Sequence, residues 1–453
     1  MDCDTLTPIS SKQLLFDLTT MQFVSPPTFN AFSFFLTLAL FFSLAPETGG
    51  AAQSRSSLEA VTRQLTDPAF DGRAFKTEGG RKAADFIAAQ FREAGLKPVG
   101  SDFLQTLGGG GQNVAGLLTG RQDEFVLVGA HYDAFGGRFA GAIDNAAGVA
   151  VMIELARQLA KSPLQRGVLF VAFDGSEQQE AGAKFYAGHP LLPFAKTIAA
   201  VHLSGFGGGW SEQLHDTLYV VGAEFSPRLA AAIAKHKRGD AHLALIGEDT
   251  TQFLGGEHFK QPFKQVPGIQ VPSIAVTNGV HYAYHSKADI INRVNFAALE
   301  KHVAALRQVI AEIVGTPGKI ERQTTPTYDA DETTEWQRTL TALRENVIKV
   351  AANAAGQSHI DDALLELKRF KGVALQDVKA REAVILRAAS ICFYIANPNG
   401  VEFNSLLDAA RTADQRGQRA QSITAYKKLL KFLEEDYRRD DQTVSEIRAK
   451  AGR

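Results

Sequence analysis

The sequence predicts an α/β protein, a three-layer sandwich with a mostly parallel mixed sheet, plus a C-terminal helical appendage. Three observations predict it. First, short continuous apolar runs rich in Val, Ile and Phe recur at FVLVGA (125–130), GVLFVAF (167–173), TIAAVHL (197–203), TLYVVG (217–222) and VPSIAVT (271–277). Such runs suit strands buried on both faces of a parallel sheet. Second, NAAGVAVMIELARQLAKS between the first two runs places its apolar residues on one helical face. Strand, helix and strand therefore alternate, as in a sheet covered by helices on both sides. Third, strand signals cease beyond residue 335, and helical stretches take over, broken at AAGQ, FKG, NPNG and DQRG.

Taken in order, residues 1–53 read as a leader. The run AFSFFLTLALFFSLA (31–45) is uncharged and apolar. It is shorter than the roughly 20 residues a membrane helix needs, and small residues follow it, as in a secretory signal. Met21 offers a start that would give this leader an ordinary length. The expected location is periplasmic or secreted, with anchoring by an uncleaved leader as the alternative. Next come two helical stretches around the loop AFDGRAFKTEGG, the second carrying Ala84, Ile87, Phe91 and Leu96 as an apolar stripe. The α/β region spans 54–318. Residues 319–335, rich in Pro, Thr and charge, form a linker, and 336–453 form the helical region, a surface through which a protein partner could bind.

Bulk composition narrows the function. A chain of 453 residues holds one large domain and a smaller region. With 45% hydrophobic and 21% charged residues and a net charge of −1, it lacks the basic surplus of a nucleic-acid binder. Two cysteines, Cys3 in the leader and Cys392 in the apolar run SICFYIA, exclude a disulfide framework. Cys392 reads as a buried free thiol.

The chemistry-bearing residues sit where strands end, which in a parallel sheet is the crevice that binds ligands. His131 and Asp133 follow the first run (GAHYDAF), and Asp144 lies in GAIDNAAG where a helix begins. Ser176 and Glu177 follow the next run (FDGSEQQEAG), Ser204 ends VHLSG, and His285 falls in HYAYHSKAD. Imidazoles and carboxylates gathered from separate strand ends suit a first-row divalent cation such as zinc. Asp133 could accept the other ring N–H of His131 and fix its tautomer. Singly, each has a plainer role: Asp144 could simply cap its helix.

In the order LTDPAFDGRAF, HYD, GAIDNAAG, FDGSE, VHLSG and YHSKAD, the chain resembles the zinc exopeptidases of metallopeptidase family 28 over about residues 57–314. That family includes bacterial leucyl aminopeptidases, glutamate carboxypeptidase and glutaminyl cyclase. The resemblance implies one metal held by His131, a bridging Asp144 and an aspartate at the position of Ser204, with His202 where an asparagine is usual. It implies a second metal held by Asp144, Glu177 and His285, and a general-base glutamate at the position of Ser176. It further implies an aminopeptidase acting on a peptide or other small substrate. Tyr284, beside His285, could contact a bound ligand or serve as a packed aromatic.

Two serines therefore stand at family positions that carry carboxylates. A serine hydroxyl has no pKa near neutrality and cannot serve as the base, a role worth about 10²–10⁴ in rate. Ser204 removes an anionic ligand, so one zinc is favoured over two. His202, which shares a strand face with Ser204, could substitute as a ligand, and Glu180 as a base. Three outcomes remain open: an aminopeptidase with weakened chemistry, an inactive relative kept for binding, and a single-zinc acyltransferase of the glutaminyl-cyclase type.

Overall fold

The computed structural model describes residues 48–254, 270–350 and 354–452. The predicted leader core at 31–45 lies outside them. Among the described residues, no helix is long and apolar enough to cross a membrane.

Nine strands form one mixed sheet: β1 (Lys97–Pro98), β2 (Leu104–Thr106), β3 (Gln112–Leu118), β4 (Gln122–His131), β5 (Arg166–Phe173), β6 (Thr197–Leu203), β7 (Thr217–Val221), β8 (His242–Ile246) and β9 (Ser273–Thr277). Their spatial order is β1-β3-β5-β4-β6-β9-β7-β8, with β2 beside β3. The central β5-β4-β6-β9 block is parallel, while β3 joins β5 and β7 joins β9 in antiparallel fashion. β5 and β6 flank β4 on opposite sides, so the chain reverses direction of winding there and opens a crevice at the carboxyl ends. All five predicted strands are present. β8, in AHLALI, is a sixth apolar segment and is not among the predicted strands.

Among the described residues the α-helices are α1 (Thr48–Leu65), α2 (Glu78–Glu93), α3 (Ala147–Leu159), α4 (Ala181–Gly188), α5 (Pro227–Ala234) and α6 (Phe296–Gly315), then seven more towards the C-terminus. Local chemistry sets several of their starts. Thr77 caps α2 by accepting from the Gly80 N–H, and Asn295 caps α6 by accepting from Ala298. Helices α1, α2, α3, α5 and α6 cover one face of the sheet and build the largest apolar core, with Val126, Val128, Val168, Phe170, Val201 and Val276 pointing into it. On the other face, α4 covers Leu127, Leu169, Val171 and Phe173.

The remainder of that second face is covered from the C-terminal region. Helices α7 (Glu332–Val350) and α8 (Ala354–Arg369), and α9 (Val378–Arg381) continuing through a π turn into α10 (Arg387–Ala396), share an apolar cluster with Tyr219, Val221, Ala244, Ile246 and Ala275. Trp336 stacks on Tyr219 with ring centroids 6.2 Å apart. This half of the C-terminal helical region thus packs as part of a layer of the sandwich. AAGQ opens α8, NPNG spans the start of α11, and FKG and DQRG fall at the ends of α8 and α11, so each predicted break lies at a helix boundary. The last three helices, α11 (Pro398–Gln415), α12 (Arg419–Glu435) and α13 (Asp441–Ala451), pack on one another around Phe403, Leu406, Tyr426, Leu429 and Leu433. Cys392 is a buried free thiol, as the sequence predicts.

Candidate metal centre

The sheet brings the strand-end residues together from four separate connections. His131 is the last residue of β4, Glu177 lies beyond β5, and His285 lies beyond β9. Asp144 sits just before α3 on a turn whose Asp144–Asn145 peptide bond is cis. Ligand-capable atoms of Asp144, Glu177 and His285, all buried, lie within 4.8 Å of one another. The His285 Nε2 is 3.5 Å from Asp144 Oδ2 and 3.6 Å from Glu177 Oε2. His131 Nε2 approaches the other Asp144 oxygen at 3.3 Å, so Asp144 stands between the two imidazoles.

Around these groups the backbone is pinned by side chains. Asp133 accepts from the Ser176 and Glu177 N–H groups, each at 2.9 Å, and its Oδ1 is 3.6 Å from His131 Nδ1. Asp133 thus holds the loop that presents Glu177 with charge-assisted hydrogen bonds, and it faces the ring nitrogen of His131 at a longer distance. Asn145 donates from its amide to the carbonyls of His131 and Leu203 and accepts from the Gly205 N–H, which ties the ends of β4 and β6. A Cβ at Gly148 would lie 2.1 Å from that amide oxygen, so the first turn of α3 must carry glycine there.

Two supporting residues escape the sequence reading as site residues, although both fall inside the site motifs. Asp289 accepts from the N–H groups of Ile143 and Asp144, at 2.8 and 3.0 Å, and fixes the turn carrying Asp144. Arg73, in AFDGRAF, is fully buried. It donates to the carbonyls of Tyr132, Ala140, Gly141 and Leu65. Burial lowers its pKa to about 10, while Asp133, Asp289, Asp144 and Glu177 act the other way. A cation amid four carboxylates offsets part of the repulsion that would otherwise oppose gathering them. The signal in the sequence is an arginine inside a motif at the site.

The serines and their proposed substitutes fall differently. Ser176 and Ser204 are both buried at the strand ends, with the Ser204 N–H donating to Val276. His202 lies on β6 with its ring 6.5 Å from that of Phe173. Glu180 is buried at the start of α4 with φ +60°. Among the described residues, the one converging ligand set is Asp144, Glu177 and His285, and it includes neither His202 nor Glu180. Tyr284 stacks on the His285 ring at 3.8 Å, with Phe135 edge-on to that ring at 4.8 Å.

Burial opposes a charge on the His131 ring, but Asp133 and Asp144 outweigh it and hold the pKa up to about 10. Burial pushes the Asp289 carboxyl up to about 7. So much buried negative charge turned inward is the field a cation relieves, and one imidazole with two carboxylates suits zinc.

Fold and cluster together describe an α/β domain with a candidate metal site at a topological switch point. Residues 113–310 match the model of peptidase family M28. Among curated relatives, an uncharacterized Escherichia coli protein, YfbL, is 24% identical over 304 residues, covering 60% of this chain and 93% of its own. The rat endoplasmic reticulum metallopeptidase 1 is 27% identical over 185 residues, covering 39% of this chain and 19% of its own. Among solved structures, the zinc aminopeptidase of Bacillus subtilis superposes with a TM-score of 0.48 at 17% identity, covering 60% of this chain and 98% of its own.

Proposed function

We propose that the protein is an exported, one-zinc member of peptidase family M28, of aminopeptidase type, which binds the amino end of a peptide and hydrolyses it slowly. The observation that carries this reading is the convergence of Asp144, Glu177 and His285 beside a serine at the general-base position. Three protein ligands suffice for a catalytic zinc. When bound, the ion would polarise a carbonyl and acidify a water.

The chain's own residues limit the rate of the reaction. Asp144, fixed by Asp289, and Glu177, fixed by Asp133, are preorganised, so the site does not reorganise to bind. His131 faces the far oxygen of Asp144, but without a carboxylate at Ser204 a second ion would have a weak ligand set. Ser176 accepts no proton at neutral pH, so transfer to the leaving amine lacks its usual carrier. Loss of that carrier costs about 10²–10⁴ in rate. Binding without turnover is the limiting case of this reading. The glutaminyl-cyclase alternative shares the ligand set and inherits the defect at Ser176.

Metal analysis of the full mature chain, with hydrolysis of aminoacyl chromogenic substrates, tests this. About one zinc per chain is expected, lost in Asp144→Ala, with turnover appearing or rising by about 10²–10⁴ in Ser176→Glu/Ser204→Asp. Two zinc ions with fast turnover in the unaltered chain, or no zinc at all, would overturn the proposal.

A further inference from the structure

The cavity in front of the metal centre holds about 10 Å³, and Phe139, Asp144, Glu177, His285 and Ser286 are among the residues that line it. That is room for one water at most, whereas a site that takes a small organic ligand occupies about 300–1,000 Å³. The turn between α12 and α13 lies against part of this lining. The Arg438 N–H donates to the carbonyl of His285 at 2.9 Å, and Ser286 pairs with Tyr437 as an antiparallel bridge. Tyr437 is buried, its ring 6.0 Å from that of His285, and the Arg438 guanidinium lies over Phe139 at 4.9 Å. Three of the lining residues are therefore covered by this one turn.

The rim of the contact is polar. Lys287 pairs with Asp436 at 2.6 Å, Arg138 donates to the Glu434 carbonyl at 3.1 Å, and Gln179 donates to Gln442 at 2.6 Å. Behind the turn, α11, α12 and α13 keep an apolar core of their own, separate from both faces of the sheet. Exposed ion pairs and single hydrogen bonds contribute little each. A unit that keeps its own core and is held by such contacts can lift without unfolding the sheet.

We infer that α11–α13 are a self-docked cap that holds the metal centre closed, and that any peptide reaches the site only after this cap lifts. The inference adds regulation to the proposed site, but it concerns access and holds whether or not turnover occurs. His285 has φ +57°, a left-handed conformation uncommon for a non-glycine residue. Its carbonyl is the acceptor of the Arg438 N–H, so the cap also touches the backbone that presents this ligand.

Two readouts on the full chain test the cap. Hydrogen exchange of the 436–440 segment should proceed by a local opening that leaves β4 and β5 protected. Arg138→Ala/Asp436→Lys, which removes two of the three rim contacts and sets two ammonium groups together, should speed that exchange about three- to tenfold. Zinc removal from the loaded chain by EDTA should reach a plateau with rising EDTA, set by opening, and the plateau should rise by the same factor in the variant. The cap is overturned if the segment exchanges only together with the sheet, or if EDTA strips zinc at a rate that never saturates and is equal in both proteins. Should the chain bind no zinc, the function proposed above fails while exchange still decides the cap.

Discussion

The two halves of the C-terminal region look alike as sequence, both amphipathic and helical, yet they stand to the sheet in opposite ways. Helices α7–α10 are fused to it. Trp336 is edge-on to Trp210 at 6.3 Å, the Tyr219 hydroxyl meets the Thr339 hydroxyl at 2.6 Å, and Leu340, Ile385 and Cys392 share a core with β7, β8 and β9. Arg381 closes the seam with paired bonds to Asp249 and Glu332 at 2.6–3.0 Å. Helices α11–α13 have no share in that core and meet the site through a turn and a polar rim. Shared apolar burial makes one half a layer of the fold, and its absence leaves the other half as a cover.

The largest expected effect lies in the fused half. Arg381→Ala would strand Glu332, a buried carboxylate that also accepts the Gly247 N–H. Breaking a buried pair on one side costs about 3–5 kcal/mol. Denaturant unfolding should show this as a fall in stability of the whole body, α7–α10 and sheet together. If the sheet kept its stability while α7–α10 melted alone, the two halves would not differ as argued.

Leu429→Ala supplies the counterpart. Leu429 is fully buried within the α11–α13 core, and a buried leucine truncated to alanine costs about 2–5 kcal/mol. Here the loss should appear as faster exchange throughout α11–α13, with the unfolding midpoint of the sheet scarcely moved. An equal loss in both regions would mean that the cap is as firmly built in as α7–α10.

Which features were legible in the sequence depends on what each one rests on. Strands buried on both faces advertise themselves as apolar runs, so β4, β5, β6, β7 and β9 can be read directly. The candidate ligands Asp144, Glu177 and His285 could be named from the resemblance in motif order, and the fold brings their ligand-capable atoms together. The roles of Arg73 and Asp289 were not legible, since each acts through backbone groups that only the fold brings near. Nor was the split between α10 and α11, because helical periodicity marks a buried face without naming what buries it. From the sequence Asp133 reads as a partner of His131, whereas its closest bonds are to the loop of Glu177.

Acid should separate the regions by about 3 kcal/mol. Burial depresses the pKa of His302, on α6, to about 4, against about 6.5 unfolded. The neutral ring is the one the fold accepts, so its stabilising effect is complete above pH 6.5. It is lost as pH falls from 6.5 to 4, by about 3 kcal/mol at 1.36 kcal/mol per unit. Residues 398–453 contain no histidine. Between pH 6.5 and 4 the sheet should therefore weaken through buried His302 while α11–α13 lack that source of sensitivity, and His302→Gln should flatten the slope for the sheet. A slope unchanged by this substitution would assign the acid sensitivity elsewhere.

The smallest effect belongs to the rim taken one contact at a time. Lys287 and Asp436 are each about half exposed, at 48% and 45% of their side-chain surface. An ion pair so placed is worth at most about 1 kcal/mol and less in salt. Lys287→Ala should thus speed exchange at Arg438 by no more than about fivefold, with the difference shrinking as ionic strength rises. A cap held by several weak contacts responds in this graded way, each loss opening it a little. If Lys287→Ala instead released the turn outright, a single pair would be acting as a latch. Closure would then be set by one ion pair rather than by the fit of α11–α13 over the metal centre.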